Sequence, residues 1–114
     1  MGDCLFCRIV DGTIPAKIVY EDEYCLAFTD INPQARVHVL VIPRRHVVSL
    51  AAVGEHDAVL LGHLLVACAK VAREQGVEES GYRVVANTGQ EAGQSVFHLH
   101  FHVLGGRHLA WPPG

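Results

Sequence analysis

His98-Leu99-His100-Phe101-His102-Val103-Leu104 alternates imidazole with hydrocarbon. An extended backbone sends successive side chains to opposite faces, so the stretch predicts a strand with three imidazoles on one face. Leu99, Phe101 and Val103 would then face a core. Next-but-one residues on a strand lie about 6.5–7 Å apart, close enough for neighbouring imidazoles to act on one small anionic group. Histidine titrates near neutrality, and several in line on a rigid element point to an active site more than to packing.

Working outward, the pattern predicts an α+β domain. Cys4 to Val10 reads as a short helical turn closed by Asp11-Gly12. Ile18-Val19-Tyr20 and Tyr24 to Phe28 read as two strands of a hairpin about Glu21-Asp22-Glu23. Asp30-Ile31-Asn32-Pro33-Gln34 is loop chemistry, and His38 to Ile42 is an apolar strand that stops at Pro43. One long helix is expected from about His56 to Gln75, with Leu61, Leu64, Leu65, Cys68 and Ala72 at helical spacing and Gly76 as its stop. Tyr82 to Asn87 is the fourth strand, Thr88 to Ser95 a glycine-containing loop, and Phe97 to Leu104 the fifth strand. A single long helix among five strands favours a mostly antiparallel sheet over a doubly wound one. The tail Trp111-Pro112-Pro113-Gly114 reads as docked, as across a dimer, more than frayed.

The 114 residues suit one domain spanning 1–114, and 50% hydrophobic with 18% charged residues is globular composition. A net charge of −3 leaves no electrostatic footprint for duplex nucleic acid. No stretch approaches the roughly 20 apolar residues of a membrane span. Asp3, Arg8 and Asp11 interrupt any signal-peptide-like apolar region. The four cysteines lack the spacing of a secreted disulfide framework, with Cys25 and Cys68 in apolar stretches, so a reducing cytoplasm is the simplest home.

Neutral imidazole attacks phosphorus and also carries protons. His100, the middle residue, reaches groups on both sides and is the natural nucleophile. His102 would stabilise charge developing on a phosphoryl group, and His98 would orient the set. The preceding loop, Gly89 to Ser95, offers backbone N–H groups with Gln94 and Ser95 to an anion. A His-x-His pair on a strand also holds zinc, so spacing alone leaves metal-dependent hydrolysis open.

The seven residues His98 to Leu104 resemble the signature of the histidine triad (HIT) superfamily. The resemblance extends through Ile14-Pro15-Ala16-Lys17, Leu26-Ala27-Phe28, Asp30-Ile31-Asn32-Pro33-Gln34-Ala35, Val41-Ile42-Pro43, Leu61-Gly62-His63-Leu64, Gly93-Gln94-Ser95-Val96 and Leu104-Gly105-Gly106-Arg107 to the Trp-Pro-Pro-Gly tail. It is most similar to the Hint branch, purine-nucleotide-binding phosphoramidases. That implies a homodimer whose two five-stranded sheets join into one of ten strands, with the Trp111 tail near the partner subunit. It also implies hydrolysis of AMP-amine bonds through a nucleotidyl-histidine on His100, with His102 contacting the phosphate and Ser95 beside the departing nitrogen. By the same resemblance His38 steadies the triad, Asn87 lies near the phosphate, and Asp30 takes the ribose hydroxyls. Phe6, Ile9, Ile14, Phe28 and Ile31 match the apolar walls around base and sugar, and Gly93, Gln94, Ser95 and Val96 the phosphate loop. A nucleotide-binding regulatory dimer with weak hydrolysis is the alternative activity.

Without the resemblance, Phe6, Ile9, Ile14 and Phe28 would be ordinary core residues, Asp30 a turn residue and Ser95 a loop cap. His56 and His63 are read as structural. Arg36 stands where relatives usually carry proline, and Thr29 where many carry histidine. Cys4-Leu5-Phe6-Cys7 places two thiols within reach of one metal. Similarity to prokaryotic HIT proteins implies His46 and His98 as the remaining ligands of a structural zinc; the alternatives are a reduced, unligated pair and, less favoured because no thioredoxin-like βαβ pattern surrounds it, a redox C-x-x-C.

Overall fold

The computed structural model describes residues 3–114. Helix α1 (Leu5–Val10) precedes the hairpin of β1 (Ile18–Glu21) and β2 (Cys25–Thr29), followed by β3 (Val37–Pro43). Helix α2 (Ala58–Glu74) then leads to β4 (Tyr82–Val85) and β5 (Phe101–Gly105). All pairings are antiparallel, in the order β1-β2-β3-β5-β4, the five-stranded α+β arrangement expected. Among the described residues, no helix is long and apolar enough to cross a membrane.

The sheet has two covered faces. Val39, Val41 and Val103 pack with Leu64, Ala67, Cys68, Val71 and Ala72 of α2 on one face. Leu26, Phe28, Leu40 and Ile42 pack with Phe6 and Ile9 of α1 on the other. This explains why β3 is apolar at almost every position: all seven of its residues are buried. The long helix starts two residues later than expected, because Glu55–Asp57 form a tighter 3-10 turn in front of it. Leu65 is half exposed and lies off the packed face, which is carried instead by Leu64, Ala67 and Val71. Gly76 ends the helix as expected: at φ 79° it turns the chain so that its own N–H reaches Arg73 O and the Val77 N–H reaches Ala72 O.

The fifth strand requires a correction. Ladder pairing begins at Phe101, opposite Val41, so His98, Leu99 and His100 lie ahead of β5. Continuing the register would set Leu99 against Pro43, which has no N–H to donate. Leu99 N–H turns instead to Val47 O at 2.6 Å. Alternation nonetheless persists, since Leu99, Phe101 and Val103 all join the α2-side core. The fourth strand stops at Val85, two residues short of the expected Asn87.

Candidate active site and metal centre

Helix α1 does not cover its whole face of the sheet, and the space beside it is a cavity of about 440 Å³. Of the expected nucleotide residues, Phe6, Ile9, Ile14, Phe28, Asp30, Ile31, Ser95, Val96, His100 and His102 line it. Leu40 lies there too, directly opposite His102 in the β3–β5 register, as do Leu5, Pro15, Ala16, Lys17 and Thr29. The Leu40 position follows only from strand pairing, which the sequence does not display. Lys17 lies within, and Thr29 beside, segments that carry the family resemblance, a usable signal. Asn87, Gly93 and Gln94 are not in the lining. Gln94 is buried and works on the main chain: its Oε1 accepts from Gly89 N, and its Nε2 donates to Val48 O and Val96 O. It therefore shapes the loop that presents Ser95.

Backbone groups fix the protonation pattern of the histidines. His100 Nδ1 lies 2.8 Å from His98 O, and a carbonyl only accepts, so Nδ1 carries the proton and, in the neutral ring, Nε2 the lone pair. His98 orients its neighbour through its main chain, rather than through its ring. His38 Nδ1 accepts from Gln34 N–H at 3.0 Å, which puts the His38 proton on Nε2. That proton points to His102 Nδ1 at 2.8 Å, leaving His102 with its own proton on Nε2. The cavity thus receives a lone-pair imidazole and a donor imidazole whose ring centroids are 5.1 Å apart.

Burial pushes His102 well below the ordinary histidine range, to about 4, with His100 and His38 acting in the same direction and Asp30 opposing. Burial lowers His38 likewise, again opposed by Asp30. Both rings are therefore neutral near pH 7, as the hydrogen-bond pattern requires.

A second constellation lies behind the first. Cys4 Sγ and Cys7 Sγ sit 3.4 and 3.5 Å from His98 Nδ1, and Cys7 Sγ is 3.2 Å from His46 Nδ1. One donor atom from each of these four residues falls within 4.8 Å of the others, so the set could hold a metal ion. The chemistry suits zinc, with two sulfurs and two imidazole nitrogens. His98 meets a further requirement: its Nε2–H is spent on Pro43 O at 2.9 Å, so Nδ1 turns a lone pair toward the sulfurs. Asp30, His38 and His102 are also close enough to share an ion. They are not built for it, because His38 Nδ1 is already an acceptor and its Nε2 must keep the proton. The triad is thus divided: His98 joins the cysteines, His102 joins His38, and His100 belongs to neither cluster. Cys25 and Cys68 take no part; burial pushes both thiols to about 12 and leaves them inert packing groups.

Comparison with known proteins places the fold. The HIT domain family profile matches residues 11–109. An uncharacterized HIT-like protein of Synechococcus elongatus is 56% identical over 113 residues, covering 98% of this chain and 97% of that protein. A HIT family hydrolase from Legionella pneumophila superposes with a TM-score of 0.96 at 47% identity, over 98% of this chain and all 100% of that one. A histidine triad protein from Clostridium difficile gives a TM-score of 0.93 at 43% identity, over 96% of each chain. With the family profile spanning most of its length, and relatives above half identity along all but a few residues, this chain belongs to the HIT domain family.

Proposed function

We propose that this HIT-family hydrolase is a purine nucleoside phosphoramidase of the Hint type. The observation that carries the reading is the unequal protonation of two neighbouring imidazoles at one cavity: His100 with a lone pair on Nε2, His102 with a proton there. His100 Nε2 attacks the α-phosphorus of an AMP-amine, and the P–N bond breaks as the amine departs with a proton taken from solvent, which the later hydrolysis returns. His102 Nε2–H donates to a phosphoryl oxygen as charge builds on it. Ser95, at the cavity wall, is placed for the departing nitrogen. Water then cleaves the nucleotidyl-His100 intermediate, releasing AMP and restoring the lone pair.

The rest of the cavity suits a nucleoside. Phe6, Ile9 and Phe28 offer apolar walls for a base, Ile31 stands fully exposed at the rim, and Asp30 supplies a carboxylate for ribose hydroxyls. Zinc held by Cys4, Cys7, His46 and His98 would serve structure, tying α1 to the triad segment, and no chemical step passes through it. None of the four cysteines is joined in a disulfide, which suits a reducing cytoplasm. Homodimerisation belongs to the same reading. β4 is an edge strand with Tyr82 and Val84 exposed, Val59 and Val66 of α2 are exposed as well, and Trp111 is 81% exposed on a tail held by Arg83. Joining two β4 edges would cover them in one ten-stranded sheet.

The assay is release of AMP from an adenosine phosphoramidate, followed by chromatography. The native chain should turn over and His100→Ala should not, while calorimetry shows that the variant still binds AMP. Undiminished turnover by His100→Ala would end the proposal.

A further inference from the structure

Phe6 stands between two thiols and in the cavity wall at once. Cys4 caps α1, its Sγ accepting from Cys7 N–H at 3.3 Å, so both sulfurs lie at the first turn of the helix. Between them, the Phe6 ring meets His100 edge-on at 5.2 Å, His98 at 5.9 Å and Phe28 at 5.4 Å. α1 has six residues and buries only Phe6 and Ile9. A helix so short has little stability of its own, so its place depends on what anchors it. The anchors are those two side chains and the sulfur contacts to His46 and His98. Both sulfur-bearing residues are only partly buried, within reach of a small solute.

We propose that Cys4 and Cys7 form an oxidisable metal-thiolate pair whose state sets nucleotide affinity through α1. The inference rests on the zinc and nucleotide readings above. A peroxide removes two electrons from the two thiolates. A sulfur–sulfur bond forms between Cys4 and Cys7, and the O–O bond is cleaved with two protons from solvent, to two waters from hydrogen peroxide or to an alcohol and water from an organic one. Only His46 and His98 would then remain to hold zinc, two ligands where a structural site uses four. Cys4 is the extended N-cap residue and Cys7 lies in the first turn, so a bridge between them draws the sulfurs off His98 and His46. Closing the bridge therefore removes those anchors from α1, and Phe6 is inside the closed loop. The nucleotide wall moves with it. A reducing thiol and zinc reverse the change, and by linkage bound nucleotide should tighten metal binding by the same factor.

The test is a peroxide titration of the zinc-loaded protein. Released zinc is read with a chromogenic chelator, the Cys4–Cys7 bridge by peptide mass spectrometry, and AMP affinity by calorimetry. Release of zinc, appearance of the bridge and at least about a tenfold rise in the AMP Kd, all reversed by dithiothreitol with zinc, is expected. Cys7→Ser, which can form no such bridge, should start at the weaker affinity and not respond to peroxide. Zinc release with an AMP Kd unchanged within about twofold overturns the coupling alone. Protein purified without chelator but carrying no zinc overturns the metal reading, and zinc-loaded protein that does not bind AMP overturns the nucleotide reading. Either result takes the proposal with it.

Discussion

His38 Nε2 lies 2.8 Å from His102 Nδ1 and 3.4 Å from Asp30 Oδ2, while Gln34 N–H holds His38 Nδ1. A main-chain amide in the loop before β3 thus determines which nitrogen of His102 faces substrate. Replacing His38 with alanine leaves His102 free to exchange tautomers and removes a hydrogen bond worth about 1 kcal/mol. We expect His38→Ala to lower kcat by about tenfold with a smaller effect on AMP binding. Nitrogen NMR of the imidazoles should show His102 passing from a single tautomer to a mixture. An unchanged His102 spectrum would contradict the relay.

Stability should fall on mild acidification. Unfolded histidine takes up a proton near pH 6.5, whereas His102 in the folded protein is pushed down to about 4. Between those values the unfolded chain holds a proton that the folded chain lacks. The stability contribution is therefore complete above about pH 6.5, declines as pH falls, and levels off below about 4. His38 and His98 are lowered too, so they add to the same slope. For His102 the full loss is on the order of 3 kcal/mol. Urea unfolding at pH 7 and pH 5 should show the decline, and His102→Asn should flatten it. An equally steep decline in that variant would assign the effect elsewhere.

His46 contacts the cysteine cluster but does not line the cavity. Its replacement by alanine should reduce zinc, measured by elemental analysis, from about one ion per chain to near none. Thermal unfolding should shift down by several degrees, because a ligand of the folded state alone has been lost. Unchanged zinc content in His46→Ala would exclude it as a ligand.

Gly105 in β5 packs under the turn that follows α2. A Cβ there would meet the Val77 side chain at 2.8 to 3.0 Å, and Val77 is completely buried. Gly105→Ala should cost about 1–3 kcal/mol through overpacking, seen as a lower urea midpoint with an unchanged slope. An unshifted midpoint would mean that α2 and the sheet separate more easily than the packing indicates.

Much of this was legible in the chain itself. Alternation about His100 separated Leu99, Phe101 and Val103 from the imidazoles, and the apolar run of β3 marked a strand buried on both sides. The spacing of Cys4 and Cys7 marked the start of a cluster that could hold a metal. What could not be read lies in pairings between distant residues and in main-chain groups. That β5 begins at Phe101 depends on Pro43 standing across the sheet, a relation set by register. The protonation of the two reactive rings depends on His98 O, Gln34 N–H and His38, two of them main-chain groups. Leu65 matched the helical spacing as well as Leu64 did, and only the docking angle of α2 separates them. Gln94 invited a role toward anions because its amide was available in the sequence, yet in the fold its donors and acceptor are committed to the main chain.

The central claim is that His100 Nε2 becomes bonded to phosphorus. Rapid acid-free quenching of a single turnover with an adenosine phosphoramidate, followed by peptide mass spectrometry, tests it directly. The account predicts an adenylyl group on the peptide containing His100, with the modification at His100 itself and absent from His98 and His102. It should form before AMP is released and decay at the rate at which AMP appears. Turnover that proceeds with no such adduct at any time, and persists in His100→Ala, would contradict the account.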